Sequence, residues 1–311
     1  MSVAAGQKSR PQRFTASLQK DLPLYVLCLP ALVLVTVFHY LPMYGALIAF
    51  ESYSPAKGVF GSRWVWFQHF ERFFRDPYFF RIVRNTLLLG VYSLAIGFPA
   101  PIILALLLNE VHHKAFKKVT QTISYMPYFL STVIIVGIMK DLMSITDGKI
   151  NEIIKLLGGK PIYFFVESEW FRFIYISSGI WQNVGFSSII YLAALAGVDV
   201  ELYEAAVMDG AGRARQLWHV TLPGILPTIV ILLILNVGGI VSNDYTKILL
   251  IYNAGTYETA DVIGTYVFRA GIEGGSFSYS TAVGLLLSVI AFALLYATNK
   301  FSKSVSDIYL W

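Results

Sequence analysis

The sequence predicts an all-α, polytopic membrane protein with six transmembrane helices, and three observations support this. Hydrophobic residues make up 56% of the 311 residues, whereas charged residues make up only 14%, well below the roughly 25% of a soluble domain. Six apolar segments meet or approach the length of about 20 residues that a helix needs to cross a bilayer. These segments do not alternate as barrel strands do, and in lipid a helix satisfies every backbone polar group within its own segment.

The six predicted spans follow one another along the whole chain. They cover residues 22–50, 86–108, 124–142, 171–196, 222–251 and 282–298. The first follows a basic stretch, as a signal peptide does, but it is far longer than the 7–15 apolar residues of a signal-peptide core. We therefore interpret it as a retained span.

Six spans place both termini on the same side of the membrane. The basic N-terminal tail, the stretch HHKAFKK (112–118), Arg213 with Arg215, and Lys300 with Lys303 then share that side, which the positive-inside tendency makes cytoplasmic. Five arginines in the loop 51–84 weaken this signal. The predicted division is a cytoplasmic basic tail (1–21), a first transmembrane helix (22–50), an extracytoplasmic loop (51–84), a core domain with five transmembrane helices (85–300) and a cytoplasmic C-terminal tail (301–311).

Several functions are excluded or disfavoured by residue content. The single cysteine, Cys28, permits neither an intrachain disulfide nor a cysteine metal site. The net charge of +5 is typical of basic membrane-flanking residues rather than of nucleic-acid binding. The motif GFSS (185–188) suggests an intramembrane serine hydrolase, but no later span contains a histidine base. A Gly-x-x-x-x-Gly-Lys-Ser/Thr phosphate loop is lacking, so the chain cannot supply an ATPase.

One polar segment, LYEAAVMDGAGRARQLWHVTLPGILPTI (202–229), interrupts the apolar pattern. Asp199 can cap a helix that begins near Val200, and Glu201 and Glu204 suit the positive end of the helix dipole. Gly210 and Gly212 then favour termination of the helix. A simple capped connector between two spans is one interpretation of these features.

The combination Glu-Ala-Ala, Asp-Gly-Ala-Gly and a following Leu-Pro resembles the EAA loop of ATP-binding-cassette importer permeases. The resemblance covers nearly the whole chain, and its further motifs are YLPMYGALIAF (40–50), NTLLLG (85–90), ALLLNE (105–110), YMPYFLSTVIIVGI (125–138), DGKIN (147–151), the stretch 180–212 and SYSTAVGLLLSVI (278–290). Together these motifs resemble the sugar-importer branch, in particular permeases for oligosaccharides derived from complex polysaccharides, acidic ones among them. The implied fold is the type I importer permease fold, also called MetI-like.

The resemblance implies a coupling helix at about residues 200–212 that sits in a cleft of a cytoplasmic ATPase subunit. The implied docking residues are Glu204, Ala205, Ala206, Asp209, Gly210 and Gly212. It also implies a second permease subunit in a heterodimer, two ATP-binding subunits, an extracytoplasmic solute-binding protein and an oligosaccharide substrate. The chain would then be a non-enzymatic, multi-pass subunit of the bacterial cytoplasmic membrane without a cofactor of its own, because ATP and Mg²⁺ bind to the partners.

Polar residues inside two spans are candidates for the solute route, since polar groups within a bilayer usually face another helix or a water-filled path. They are Asn243, Asp244 and Tyr245 in span five, where the stretch SNDY resembles the bend that lines the sugar site in maltose-type permeases, and Trp181, Asn183 and Ser187 in span four. Hydrogen bonding between helices is the structural alternative. Lys140, Lys247 and Arg269 near the outer ends of spans could attract uronates, although interfacial snorkelling explains them more simply.

Two rival functions keep the membrane architecture. The EAA loop also fits a permease of the same architecture that serves an amino acid, phosphate or polyamine, although the wider motifs favour a sugar. A freestanding channel or secondary carrier is disfavoured because the two halves of the chain show no convincing inverted similarity.

Overall fold

The computed structural model describes residues 10–306 and 308–310, and most of them are helical. Residues 1–9 of the predicted cytoplasmic tail, and Asp307 and Trp311 of the predicted C-terminal tail, lie outside the described residues. Among the described residues, five helices are long and apolar enough to cross a membrane, and one strongly bent helix pair makes six if it is counted as a single span. The prediction of six spans is confirmed when the bent pair is counted as one span.

The first span, Asp21–Phe50, is set apart from the rest of the chain. It comprises most of α1 (Arg10–Val35), a π-helical turn (Thr36–Tyr40), α2 (Leu41–Met43) and a 3₁₀ segment (Tyr44–Phe50). Its most apolar stretch is not buried against the chain, whereas Ala49 at its outer end is fully buried. A helix that is apolar all round requires lipid or another chain around it.

A small subdomain, called the outer subdomain after the side predicted for residues 51–84, follows the first span. It contains strand β1 (Glu51–Ser52), α3 (Gly58–Gly61), strand β2 (Arg63–Trp64) and α4 (Gln68–Phe74), and the two strands pair antiparallel. Phe73 of α4 is buried with Ile82 and Tyr279. This contact attaches the outer subdomain to both the second and the last span.

The second span, Phe79–Glu110, is continuous but locally widened. It contains α5 (Phe79–Tyr92), a π-helical turn (Ser93–Gly97) and α6 (Pro99–Glu110). Pro99 lies in the first turn of α6, where its missing N–H and its fixed φ are tolerated. Such π-helical insertions are frequent at functional sites.

The predicted third span, residues 124–142, is not one straight helix. Helix α7 (Lys114–Tyr125) and a 3₁₀ turn (Met126–Phe129) form an angle of 103° with α8 (Thr132–Leu142). Leu130 is extended (φ −80°, ψ 138°), and Ser131 caps the restarted helix by accepting the N–H of Ile134. The predicted span at 124–142 therefore holds only if the bent pair is counted as one span, because hydropathy does not report the break at residues 130–131.

The fourth span is the central helix. After the short outer helix α9 (Lys149–Leu156), α10 (Ser168–Ala196) crosses without interruption and packs closely on α6 and α7. A Cβ at Gly185 would lie 2.0 Å from the carbonyl oxygen of Ser124. Only glycine permits α10 to approach the backbone of α7 this closely.

The fifth span, Arg213–Gly238, is preceded by the predicted polar helix α11 (Val200–Met208). It comprises α12 (Arg213–Gln216), a π-helical turn (Leu217–Thr221) and α13 (Leu222–Gly238). The predicted span 222–251 is too long, because the helix ends at Gly238. The chain then forms a bend (residues 239–244) that packs closely against Gly90 of the second span. A Cβ at position 90 would lie 2.0 Å from the carbonyl oxygen of Ile240, so only glycine permits this contact.

Short outer helices connect the bend to the last span. They are α14 (Tyr245–Ile251), α15 (Tyr257–Ala260) and α16 (Ile263–Phe268), followed by a π-helical turn (Arg269–Glu273) and α17 (Phe277–Val305). A buried cluster that includes Leu89, Val136, Phe171 and Ile248 joins these outer helices to the second, third and fourth spans.

A buried carboxylate fixes the outer loop. Asp261 is fully buried and accepts two hydrogen bonds from Arg269, at 2.9 and 2.8 Å, together with one at 3.4 Å from Arg81. The hydroxyl of Thr265 donates a further bond at 2.8 Å. Burial disfavours charge on Arg269, but its hydrogen bonds to Asp261 outweigh this effect and raise its pKa.

Replacing Asp261 with asparagine should lower the thermal midpoint of the solubilised protein. Arg269 and Arg81 would keep their partly buried charges and lose the carboxylate, and breaking a buried pair in this way costs about 3–5 kcal/mol. The matched control is Glu258→Gln, which removes the exposed carboxylate 2.8 Å from Arg84. Water already screens this pair, so thermal unfolding of the control should match wild type. Equal losses in the two variants would contradict the stabilising role of the Asp261 carboxylate.

Candidate functional site

Helix α11 begins and ends as its sequence predicts. The Asp199 carboxylate caps it by accepting the N–H of Glu201 at 3.0 Å. At the other end Gly210 has φ +72°, its N–H donates to the Val207 carbonyl at 2.9 Å, and the N–H of Ala211 donates to the Ala206 carbonyl at 2.8 Å. This pair of bonds is a Schellman motif, which satisfies carbonyls that a helix end otherwise leaves open.

The outward surface of α11 combines carboxylates with apolar side chains. Glu204 and Ala205 are exposed, and so are Leu202, Val207 and Met208, the last with 87% of its surface accessible. Nothing lies within 4 Å of a Cβ placed at Gly210 or Gly212. A short rigid helix with an uncovered apolar surface of this kind is typical of a docking element.

One side chain connects α11 to the fifth span. The Tyr203 hydroxyl donates to the Thr221 hydroxyl at 3.0 Å, and Thr221 is the last residue of the π-helical turn at the start of that span. The Gln216 side-chain amide also donates to the Ala211 carbonyl at 2.8 Å. Hydrogen bonds as well as the chain itself therefore connect α11 to the start of the fifth span.

A cavity of about 550 Å³, the central cavity, lies between the second, fourth and fifth spans. One face of α10 lines it at helical spacing, through Ile176, Gly179, Asn183, Ser187 and Ile190. The π-helical turn of the second span also contributes, through Ser93 and Gly97. These residues give the wall of the cavity polar groups at intervals.

The central cavity has an aromatic wall. The rings of Tyr128 and Phe186 stack with centroids 3.9 Å apart and an interplanar angle of 5°, and both residues line the cavity. The wall exists because the bent third span brings Tyr128 against α10. Flat apolar faces beside amide and hydroxyl groups suit a solute that has both C–H surfaces and hydroxyls.

The bend at residues 239–244 separates the central cavity from two further spaces. A bend pocket of about 320 Å³ shares Ser93, Tyr175, Asn236 and Asp244 with the central cavity. On the opposite side of the bend lies a groove of about 840 Å³ along α16 and α17. The bend thus lines all three spaces.

The six predicted route residues fall into three positions. Asp244, Asn183 and Ser187 line the central cavity. Asn243 and Tyr245 line the α17 groove, and Asn243 also lines the bend pocket while donating to the Thr86 carbonyl at 3.1 Å. Trp181 lines none of these three spaces and is 49% exposed. Their roles in a solute route stay predictions.

Several lining residues were not among the predicted site residues. They are Tyr128, Tyr175, Gln182, Asn236 and Lys247. Asn236, Gln182 and Lys247 stood out in the sequence as polar groups within or next to apolar runs. Tyr128 and Tyr175 carried no such signal, because aromatic residues at span ends are also typical of the interface with lipid.

Asp244 organises the bend. Its carboxylate caps α14 by accepting the N–H of Lys247 at 3.1 Å, and its own N–H donates to the Tyr175 hydroxyl at 3.1 Å. The Asp244 carboxylate therefore satisfies the Lys247 N–H at the start of α14, and the Tyr175 side chain of α10 satisfies the Asp244 N–H at the end of the bend.

Comparison with known proteins places the whole chain among transport proteins. The family model described as "Binding-protein-dependent transport system inner membrane component" matches residues 97–306. A polygalacturonan/rhamnogalacturonan transport system permease protein, YteP of Bacillus subtilis (strain 168), is 45% identical over 301 residues, which are 97% of this chain and 94% of that protein. Protein LplB of the same organism is 46% identical over 288 residues, which cover 93% and 91% of the two chains.

A solved structure has the same fold. A crystal structure of a bacterial alginate ABC transporter, in complex with an alginate pentasaccharide-bound periplasmic protein, contains a chain that matches with a TM-score of 0.87 and 39% identity. The match covers 96% of the present chain and 100% of the other. The fold predicted from the sequence is thereby confirmed.

Replacing Asp244 with alanine should destabilise the bend, and replacing it with asparagine should not. Alanine removes the cap of α14, at a cost of about 1 kcal/mol, whereas asparagine caps a helix as well as aspartate does. The measurement is the rate of amide hydrogen exchange in residues 245–251, compared among the three proteins. Equal exchange in the alanine variant and wild type would contradict the capping role.

Proposed function

Because the chain belongs to the family of binding-protein-dependent transport system inner membrane components, we propose that it is the permease subunit of an ATP-driven importer that carries oligosaccharides across the bacterial inner membrane. One observation carries the proposal: the exposed helix α11 is joined directly to the fifth span, whose final bend lines the central cavity. A partner that moves α11 would therefore act on the walls of the cavity.

In this proposal α11 is the coupling helix that docks into an ATPase subunit. Glu204, Ala205 and Ala206 form its middle, and Asp209, Gly210 and Gly212 form its end. Small residues permit close approach of a partner, and the exposed Met208 and Leu202 offer apolar contact. ATP and Mg²⁺ bind to the partner subunits, which carry out hydrolysis, and the present chain contributes no catalytic group.

The complete assembly contains a second permease subunit, two ATP-binding subunits and an extracytoplasmic solute-binding protein. The uncovered first span and the α17 groove support the presence of a second membrane subunit, because both are apolar surfaces that the chain itself leaves open. The complex of the similar alginate transporter with a periplasmic protein supports the binding-protein partner.

The proposed solute is an oligosaccharide released from a complex polysaccharide. Two similar proteins are described in terms of polygalacturonan/rhamnogalacturonan and alginate. The stacked wall of Tyr128 and Phe186, with Asn183, Ser187 and Asp244 nearby, supports a sugar because sugars have apolar C–H faces and hydroxyl rims. A non-sugar solute is the alternative, and uptake assays with a panel of oligosaccharides, amino acids and phosphate esters would separate the two.

Replacing Glu204 with lysine should lower the rate of ATP-dependent uptake by at least about tenfold without preventing membrane insertion. The new cation faces a surface that we expect to complement a carboxylate, and like-charge juxtaposition across an interface costs several kcal/mol. Uptake into proteoliposomes and copurification of the ATPase subunit measure the effect. Glu152→Lys, on the exposed outer helix α9, is the control; unchanged uptake in Glu204→Lys would overturn the docking role.

Epitope tags fused to the two termini should both be protected from protease in right-side-out cells. This follows from the proposed cytoplasmic location of both termini, which the basic residues near Arg213 and Lys303 support. Protease should digest both tags after the membrane is permeabilised. Digestion of either tag in intact cells would contradict the orientation.

A further inference from the structure

The central cavity contains a buried lysine. Lys247 is only 3% exposed, and it lines the cavity. Its ammonium lies 5.5 Å from the centroid of the Tyr175 ring. Asp244 attracts it electrostatically, but none of the ion pairs among residues 10–306 and 308–310 includes Lys247 within 4.0 Å.

An ammonium in this position is incompletely compensated. Removing a charge from water costs more than a contact with an aromatic face returns, unless an anion or several hydrogen bonds replace the lost water. Asp244 has already committed one carboxylate oxygen to the cap of α14. Snorkelling does not describe Lys247, because a snorkelling lysine keeps its charged end in water; Lys140, which is exposed at the end of α8, does fit that description.

The lysine is accessible from the cavity because its neighbour on α10 lacks a side chain. A Cβ placed at Gly179 would come within 3.8 Å of the Lys247 ammonium, the nearest atom to it. Gly179 and Lys247 both line the central cavity. A larger residue at position 179 would fit the helix and would cover the ammonium.

A second cation lies further out on the same face of α10. Arg172 is four residues before Ile176 and seven before Gly179, so the three share one side of the helix. One of its terminal nitrogens donates to the Asn85 side chain at 3.2 Å, and its buried Nε has no hydrogen-bond partner among the described residues. Arg172 does not line the central cavity, but it lies on the same side of α10 as Gly179, which faces the Lys247 ammonium.

We propose that Lys247 binds the carboxylate of an acidic, uronate-bearing oligosaccharide as it passes through the central cavity, and so selects acidic over neutral sugars. This inference rests on the proposed function and assigns the charge of the solute. The carboxylate supplies the anion that the buried ammonium lacks, while Asp244 accepts hydrogen bonds from sugar hydroxyls. A neutral sugar offers the ammonium hydroxyl oxygens but no anion.

The test uses the complete assembly, with its second permease subunit, ATPase subunits and binding protein, in proteoliposomes. The probes are α-1,4-linked trigalacturonate and the same trisaccharide with its carboxylates reduced to alcohols, each at a concentration that saturates the binding protein. Lys247→Gln should lower the initial uptake rate of trigalacturonate by about tenfold or more, because a charge-assisted hydrogen bond is lost. Uptake of the reduced sugar should change by less than about twofold.

Three further variants separate recognition from a structural role. Lys247→Arg keeps the charge and should preserve most of the preference for the acidic sugar. Gly179→Val should lower trigalacturonate uptake in the way that Lys247→Gln does, because it covers the ammonium. Lys140→Gln removes the same charge outside the cavity and should behave as wild type.

The ratio of acidic to neutral uptake decides the outcome. An unchanged ratio in Lys247→Gln overturns the inference. A wild-type assembly that imports the reduced sugar but not trigalacturonate also overturns it, while the proposed import of oligosaccharides stands. A wild-type assembly that imports neither sugar, nor any other oligosaccharide, refutes the proposed function and this inference together.

Discussion

The structure depends on the requirement that every backbone polar group inside a membrane must find a partner within the protein. Two helices break within the apolar segments predicted to span the membrane, after Phe129 and after Gly238, and side chains of α10 compensate both breaks. The Gln182 side-chain amide donates to the Leu130 carbonyl at 3.4 Å, and the Tyr175 hydroxyl accepts the N–H of Asp244 at 3.1 Å. The unbroken α10 thus permits its two neighbours to be broken, and the cavity exists because they are.

Features that depend on local residue chemistry could be predicted from the sequence. The start of α11 at Val200, its Asp199 cap and its termination at Gly210 are encoded within a few neighbouring residues, and the structure agrees with each. The number of apolar segments is equally local. The directions of those segments are not, because Pro127 and the Gly238–Gly239 pair can either bend a helix or end it, and the choice depends on what α10 and Gly90 place opposite them.

The candidate route shows the same limit. Asp244, Asn183 and Ser187 were recognisable as polar groups in apolar surroundings, and they line one cavity. Tyr245 follows Asp244 directly, yet it faces the α17 groove because the bend directs successive side chains to opposite sides. Lys247 appeared as an ordinary interfacial lysine, since its burial results from the packing of α14 against the third span and α10. Proximity in the sequence therefore did not predict which polar residues line the same cavity.

Tyr175 connects the central helix α10 to the bend and to α14. Its hydroxyl receives the Asp244 N–H, its ring lies near the Lys247 ammonium, and it forms a common wall of the central cavity and the bend pocket. Rotation of α10 relative to the bend would break this hydrogen bond and would leave the Asp244 N–H without the Tyr175 hydroxyl. A single phenol therefore ties the position of the unbroken helix to the shape of the passage beside it.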